Sequence, residues 1–225
     1  MLQMQLDRFP VIGEGRASVV YDLGDGTVLR RYRRSTVSAE PEAELMRLAA
    51  AAGVPVPTVH GATGPDLRME RVPGPTMLSD LAEHPRRAES HGRELAALHR
   101  RLDAVEPSQG PGIGLLHGDL HPDNVVLGPA GPVLVDWTNS GFGPRALDLA
   151  VTWLLLACFD PADEQQSLVD ALRPPLLNAF LGAIDRSAAT AFLDAAAEIR
   201  HADPGTTPAE HVRIEELCRQ NRPAR

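Results

Sequence analysis

His117-Gly118-Asp119-Leu120-His121-Pro122-Asp123-Asn124 is the stretch on which the reading of this chain turns. Short apolar segments flank it, Leu115–Leu116 before and Val125–Leu127 after, and a third, Val133–Val135, runs into Asp136-Trp137. Polar residues set between short strands are presented on loops, where chemistry is done. Asp119 is a carboxylate able to accept or orient a hydroxyl proton. Asn124 and Asp136 offer the hard oxygen ligands that Mg²⁺ prefers. Phosphoryl transfer needs little more than these groups: a proton acceptor near the attacking hydroxyl and oxygen ligands that hold the metal on the phosphates. A second reading takes His117-x-Asp119-x-His121 as a zinc site in a metallohydrolase. It leaves Asn124 and Asp136 without a part, and no further His or Cys cluster stands at ligand spacing.

The spacing H-x-D-x-x-x-x-N, followed by a strand ending in Asp, resembles the kinase catalytic loop and its metal-binding aspartate. His117 to Leu127, HGDLHPDNVVL, together with Val135-Asp136-Trp137, closely resembles the aminoglycoside phosphotransferase and choline kinase family. The resemblance runs from about residue 10 to 155. It implies a bilobal, protein-kinase-like α+β fold and transfer of the γ-phosphate of ATP to a small-molecule hydroxyl. It further implies Asp119 as catalytic base, Asn124 and Asp136 as Mg²⁺ ligands, and His117 as the histidine that braces the loop. Asp148, in Arg145-Ala146-Leu147-Asp148, resembles the helix aspartate that supports that loop. The alternative for Asp148 is a helix-start acid at the positive end of the dipole.

The N-terminal third reads as strand, strand, strand, helix, strand, strand. Phe9–Gly13, Ala17–Leu23 and Thr27–Tyr32 are the first three strands, with a hairpin turn at Gly24-Asp25-Gly26. A helix over residues 38–52 stops at Gly53 before Pro55 and Pro57. Strands follow at Thr58–Gly61 and Leu67–Val72. Gly13-Glu14-Gly15-Arg16-Ala17-Ser18-Val19 partly matches a glycine-rich phosphate loop, with Ser18 in place of the third glycine. Gly13 and Gly15 would let the backbone approach phosphates, and Ser18 either donates its hydroxyl to one or caps the turn. Alternation along the third strand puts Arg30 where kinases carry a lysine, and Glu42 is the expected helix partner, with Glu44 in reserve. Glu70 and Val72 fit a hinge that meets adenine through backbone groups, or a plain interlobe linker.

All 22 basic residues are arginine, and lysine is absent. That excludes Schiff-base, pyridoxal-phosphate and GK[ST] phosphate-loop chemistry as usually built. A net charge of −8 argues against general nucleic-acid binding. Two cysteines without paired spacing make neither a disulfide framework nor a zinc ribbon. The N-terminus lacks a secretory pattern and the longest apolar run, Val151 to Phe159, is too short to span a membrane, so a cytoplasmic setting is expected. The expected division is residues 1–72 as a nucleotide-binding lobe and 73–225 as a lobe carrying the loop, the metal site and an acceptor pocket. In that second lobe Asp160, Asp163 and Glu164 either meet a cationic acceptor or simply start a helix. Thr207 with Glu210 fits a capping box. A non-catalytic nucleotide-binding module is the remaining rival, motivated by Arg30 and the missing glycine.

Overall fold

A computed structural model describes residues 6–105, 112–161 and 165–222. The strands β1 (Val11–Glu14), β2 (Ser18–Asp22) and β3 (Thr27–Tyr32) are followed by the helix α1 (Glu40–Ala51) and the strands β4 (Val59–Thr63) and β5 (Asp66–Glu70). They make one five-stranded antiparallel sheet in the order β1-β2-β3-β5-β4. Thr27–Tyr32 is rich in β-branched and aromatic residues, which suit a pleated, packed surface, and it takes the centre of the sheet. α1 turns Glu42, Ala43, Met46 and Ala49 inward at helical spacing. The small alanines let it lie close to the sheet, and the position of Glu42 on that buried face sets up the site below.

After β5 the chain crosses to the helical part. Leu127 N–H donates to the Pro75 carbonyl at 2.9 Å, and Thr76 pairs with Val126. Gly74 has a φ of +137°, and a Cβ there would collide with the Leu127 carbonyl, so only glycine fits this crossing. The helix α2 (Met77–Glu83) starts at Thr76, whose hydroxyl accepts from Ser79 N–H at 3.1 Å. Then come α3 (Ala88–Asp103), β6 (Ile113–Leu116), β7 (Val125–Gly128), β8 (Gly131–Leu134), β9 (Gly141–Pro144), α4 (Arg145–Cys158), α5 (Gln166–Leu181), α6 (Arg186–Thr190), α7 (Leu193–Ala202) and α8 (Pro208–Asn221). The short strands form two antiparallel ribbons, β6 with β9 and β7 with β8. The arrangement is the expected α+β one, a small antiparallel sheet with one helix and then a mainly helical part.

The core of the helical part is aliphatic, as sparse aromatics require. Leu95, Leu98 and Leu102 of α3 are buried with Leu172, Leu176 and Phe180 of α5. Each such side chain stabilises the fold by roughly 1.5–3 kcal/mol. Thr207 and Glu210 form the reciprocal capping box at the start of α8. β9 escapes the sequence reading because Gly-Phe-Gly-Pro is built from strand breakers. No helix among the described residues is long and apolar enough to cross a membrane.

Candidate active site

The His117–Asn124 loop leaves β6 and enters β7, and its backbone is held from behind by α4. Asp148, fully inside, accepts from His117 N–H at 3.0 Å and from Gly118 N–H at 2.8 Å. One turn on, Thr152 donates its hydroxyl to the Leu120 carbonyl at 2.9 Å. His99 of α3 backs both, with Nε2 at 2.9 Å from the Thr152 hydroxyl and Nδ1 at 3.5 Å from Asp148. Gly118 has a φ of +77°, and a Cβ on it would strike the Asn139 carbonyl. Thus Asp148 and Thr152, one helical turn apart, fix three backbone groups of the loop. The helix-start reading of Asp148 is also accurate in place, since it lies in the first turn of α4.

His117 is completely buried, and burial lowers its pKa below the usual histidine value. The ring is therefore neutral, and its Nε2–H donates to the Val135 carbonyl at 3.0 Å. Trp137 packs edge-on against it, with centroids 5.2 Å apart. His117 thus ties the loop to the segment carrying Asp136. With Nε2 committed to a carbonyl and the ring sealed in, His117 does not join Asp119 and His121 in a zinc site.

Asp119 is a quarter exposed, and His121 Nε2 stands 3.8 Å from its carboxylate. Asn124 Nδ2 donates to the Asp119 carbonyl at 2.8 Å and lies 3.1 Å from His121 Nε2. This bond fixes the amide so that its oxygen is left for a ligand. Val135 N–H donates to the Asn124 carbonyl at 3.0 Å, which brings Asp136 alongside. Asp136 is the sole non-glycine among the described residues with positive φ, at +58°. Backbone strain of this kind is found where a side chain must be aimed. The two oxygen donors, one neutral and one anionic, suit a hard divalent cation that keeps phosphate and water as its other ligands.

Arg30 reaches the same place from β3. Its side chain is 3% exposed, and Nη2 bonds Glu42 of α1 and the Tyr32 hydroxyl. Nη1 bonds Asp136 at 2.8 Å and the Thr138 hydroxyl at 2.7 Å. Glu42 also accepts from the Tyr32 hydroxyl at 2.7 Å, and burial pushes its carboxyl up against those two partners. Glu44 is exposed and takes no part. Four bonds occupy the terminal nitrogens of Arg30. Its Nε–H is buried without a partner, an arrangement that costs about 1–3 kcal/mol until something accepts from it.

The remaining expected residues lie further out. Gly15 N–H donates to the Ser18 carbonyl at 2.9 Å, closing the turn after β1, while Gly13 sits in β1 itself and Ser18 is buried opposite Tyr32. Between them, Arg16 pairs with Asp203, in the segment between α7 and α8, at 2.5 Å. Glu70 ends β5 with its carboxylate accepting from Thr58, and Val72 is half-buried against Gly128. Asp160 pairs with Arg213 at 2.8 Å and accepts from the Thr207 hydroxyl at 3.2 Å, so it braces α8. Asp163 and Glu164 lie outside the described residues.

The sequence pattern of the phosphotransferase enzyme family matches residues 8–112 and 110–189, together most of the chain. The chain belongs to the phosphotransferase enzyme family. Among curated relatives in or near it, thiamine kinase of Salmonella paratyphi B is 41% identical over 58 residues, which is 24% of this chain and 21% of that protein. The alignments cover only 21% to 26% of the first curated relatives' own length. A choline/ethanolamine kinase family protein from Mesorhizobium loti superposes with a TM-score of 0.60 at 16% identity, over 95% of this chain and 87% of that one. The streptomycin–ATP–APH(2")-IIa ternary complex gives 0.60 at 10% identity, over 88% and 85%. At such identities these structures show the fold, which is kinase-like, and this family member carries it with a sheet and a helical part as expected.

Sequence reasoning missed four of the residues that build the site. Tyr32 and Thr138 complete the Arg30 cluster, and His99 and Thr152 support the loop. The last two carried a signal. His99 is a polar residue on the leucine face of α3, and Thr152 interrupts the apolar run of α4, both places where a buried polar group requires a partner.

Proposed function

We propose that this chain transfers the γ-phosphate of ATP to the hydroxyl of a small molecule. The observation that carries the reading is the loop itself, buttressed by Asp148 and Thr152, with Asp119 on an open cavity and the Asn124 carbonyl bonded to Val135 N–H, next to Asp136. A structure of the same fold that holds ATP, and similar proteins named thiamine kinase, choline/ethanolamine kinase family protein and aminoglycoside phosphotransferase, support it.

In the reaction the acceptor oxygen forms a bond to the γ-phosphorus, and the bond from that phosphorus to the bridging oxygen breaks. The bridging electron pair leaves with ADP, and the hydroxyl proton passes to Asp119 and on to water. Asn124 and Asp136 would hold Mg²⁺, whose charge offsets that of the β- and γ-phosphates. Arg30 adds a fixed positive charge beside Asp136. Glu42 and Tyr32 keep the guanidinium in place. Gly13, Gly15 and Ser18 would cover the phosphates, and the backbone of Glu70 and Val72 would meet the adenine.

The test is ATP turnover with Mg²⁺ against a panel of small hydroxyl compounds, read as ADP release and phosphorylated product. Tight ATP binding with no turnover across the panel would make the chain a nucleotide-binding module instead. Arg30→Ala is expected to raise the KM for ATP at least tenfold, in line with loss of a desolvated charge contact. Arg30→Lys keeps a cation against Glu42 and is expected to stay within a few-fold of the parent. An unchanged KM in Arg30→Ala would refute the phosphate role.

A further inference from the structure

A cavity of about 310 Å³ opens beside Asp119 and His121, between α2, α4 and α5. That volume is at the small end for ligand sites, which run from roughly 300 to 1,000 Å³. Its walls are Leu81 of α2, Leu155 and Leu156 of α4, and Leu172 and Leu176 of α5. Phe159 and Leu78 stand on the same lining and remain 43% and 38% exposed. Large apolar side chains held against solvent at the lip of a cavity mark a surface that something apolar covers.

The charged groups on these walls are already matched. Arg173 donates to the carbonyls of Ala157 and Phe159. Arg200 pairs with Asp203 at 3.0 Å, and Asp203 also accepts from Gly205 N–H and holds Arg16. Glu210 is buried, accepting from Thr207 N–H at 2.9 Å and Asp160 N–H at 3.1 Å. Two arginines face two acids, all four bonded within the protein. The carboxylates of this lining without such partners among the described residues, Asp119 and Asp123, sit at the loop end where the hydroxyl must arrive. An ammonium group placed deeper would lose its water and meet, among the described residues, no carboxylate able to replace it.

From this we infer that the acceptor is a compact alcohol whose hydroxyl is carried on an uncharged, apolar body, aromatic or branched, and is not a polycationic sugar. The inference rests on the phosphotransfer reading for the identity of the site, and concerns what the site accepts. The hydroxyl would lie by Asp119 and the body between α4 and α5, with Phe159 closing over it.

Three probes of graded chemistry test it on the full chain: 3-phenylpropan-1-ol, choline and streptomycin. Two readouts are taken, binding by calorimetry and phosphorylation with ATP and Mg²⁺. The expected result is that 3-phenylpropan-1-ol binds and is phosphorylated with the highest kcat/KM of the three. Phe159→Asp, at a partly exposed position and with a melting curve to show that it folds, is expected to weaken that probe about tenfold or more, the scale on which an apolar pocket discriminates, while ATP affinity holds. Binding of 3-phenylpropan-1-ol that Phe159→Asp weakens, without transfer, upholds the apolar site and sinks the transfer reading. Transfer to choline or streptomycin, with no binding of the apolar alcohol, upholds transfer and overturns the inference. A Phe159→Asp variant that binds the apolar alcohol as well as the parent also overturns the inference, and so does failure of the apolar alcohol both to bind and to react.

Discussion

Asp119→Asn is expected to lower kcat by two to four orders of magnitude, the range over which a positioned general base acts, and to leave ATP affinity and thermal stability nearly unchanged. The structure explains why the effect should fall so cleanly. The Asp119 backbone carbonyl holds Asn124, and the substitution keeps it. The side chain itself makes no bond that shapes the loop; among the described residues it is paired only with the His121 ring, at 3.8 Å. A change there stays within about 0.5 kcal/mol of the parent in stability. Transfer rates with Mg²⁺ and ATP, ATP binding and a melting curve check the three parts together. A kcat within tenfold of the parent would take the proton from Asp119 and assign it elsewhere. A lowered Tm would mean that the side chain supports the fold.

Asp148→Asn should do the reverse, with stability as its main effect. The carboxylate accepts two backbone N–H groups of the loop with His99 at its back, all in the interior. An asparagine turns an N–H₂ toward donors, so at least one buried group loses its partner. Breaking a buried charged network of this kind costs about 3–5 kcal/mol, a fall in Tm on the order of 10 °C for a chain this size. The pH dependence separates charge from shape. Burial alone would raise the pKa of Asp148, but the His99 contact and the His117 N–H outweigh it, and the net shift is downward. A carboxylate with a lowered folded pKa contributes stability above its unfolded value, about 3.9, and loses it as pH falls through the folded value. The gap in Tm between parent and Asp148→Asn should therefore be full at pH 7 and shrink below about pH 4. A gap that stays constant into acid would show that shape, and not charge, holds the loop.

Local chemistry made much of this legible. Thr27–Tyr32 carries its strand propensity in its own residues, and the order of the first six elements follows from periodicity and turns. Counting back one turn from Met46 names Glu42, and the structure sets its carboxylate on Arg30. What periodicity does not carry is contact across long separations. Nothing in Tyr32 or Thr138 announces that both will meet a guanidinium 2 and 108 positions away. Asp160 has a helix-start pattern in sequence, yet bonds α8, because an acid beside a proline reads alike whether it caps a helix or braces one from outside. β9 pairs through its backbone with β6 and needs no side-chain signal.

The Arg16–Asp203 pair ties the turn after β1 to the approach of α8, 187 residues along the chain. With Arg16 largely in water, such a pair contributes only about 0.2–1 kcal/mol and weakens as salt rises. It also shares its aspartate with the wall of the apolar cavity. The turn is thus fastened to a residue of the cavity lining by a bond of about the thermal energy. Because Asp203 belongs to the cavity lining, raising the ionic strength loosens one of the contacts that fasten the turn to that wall.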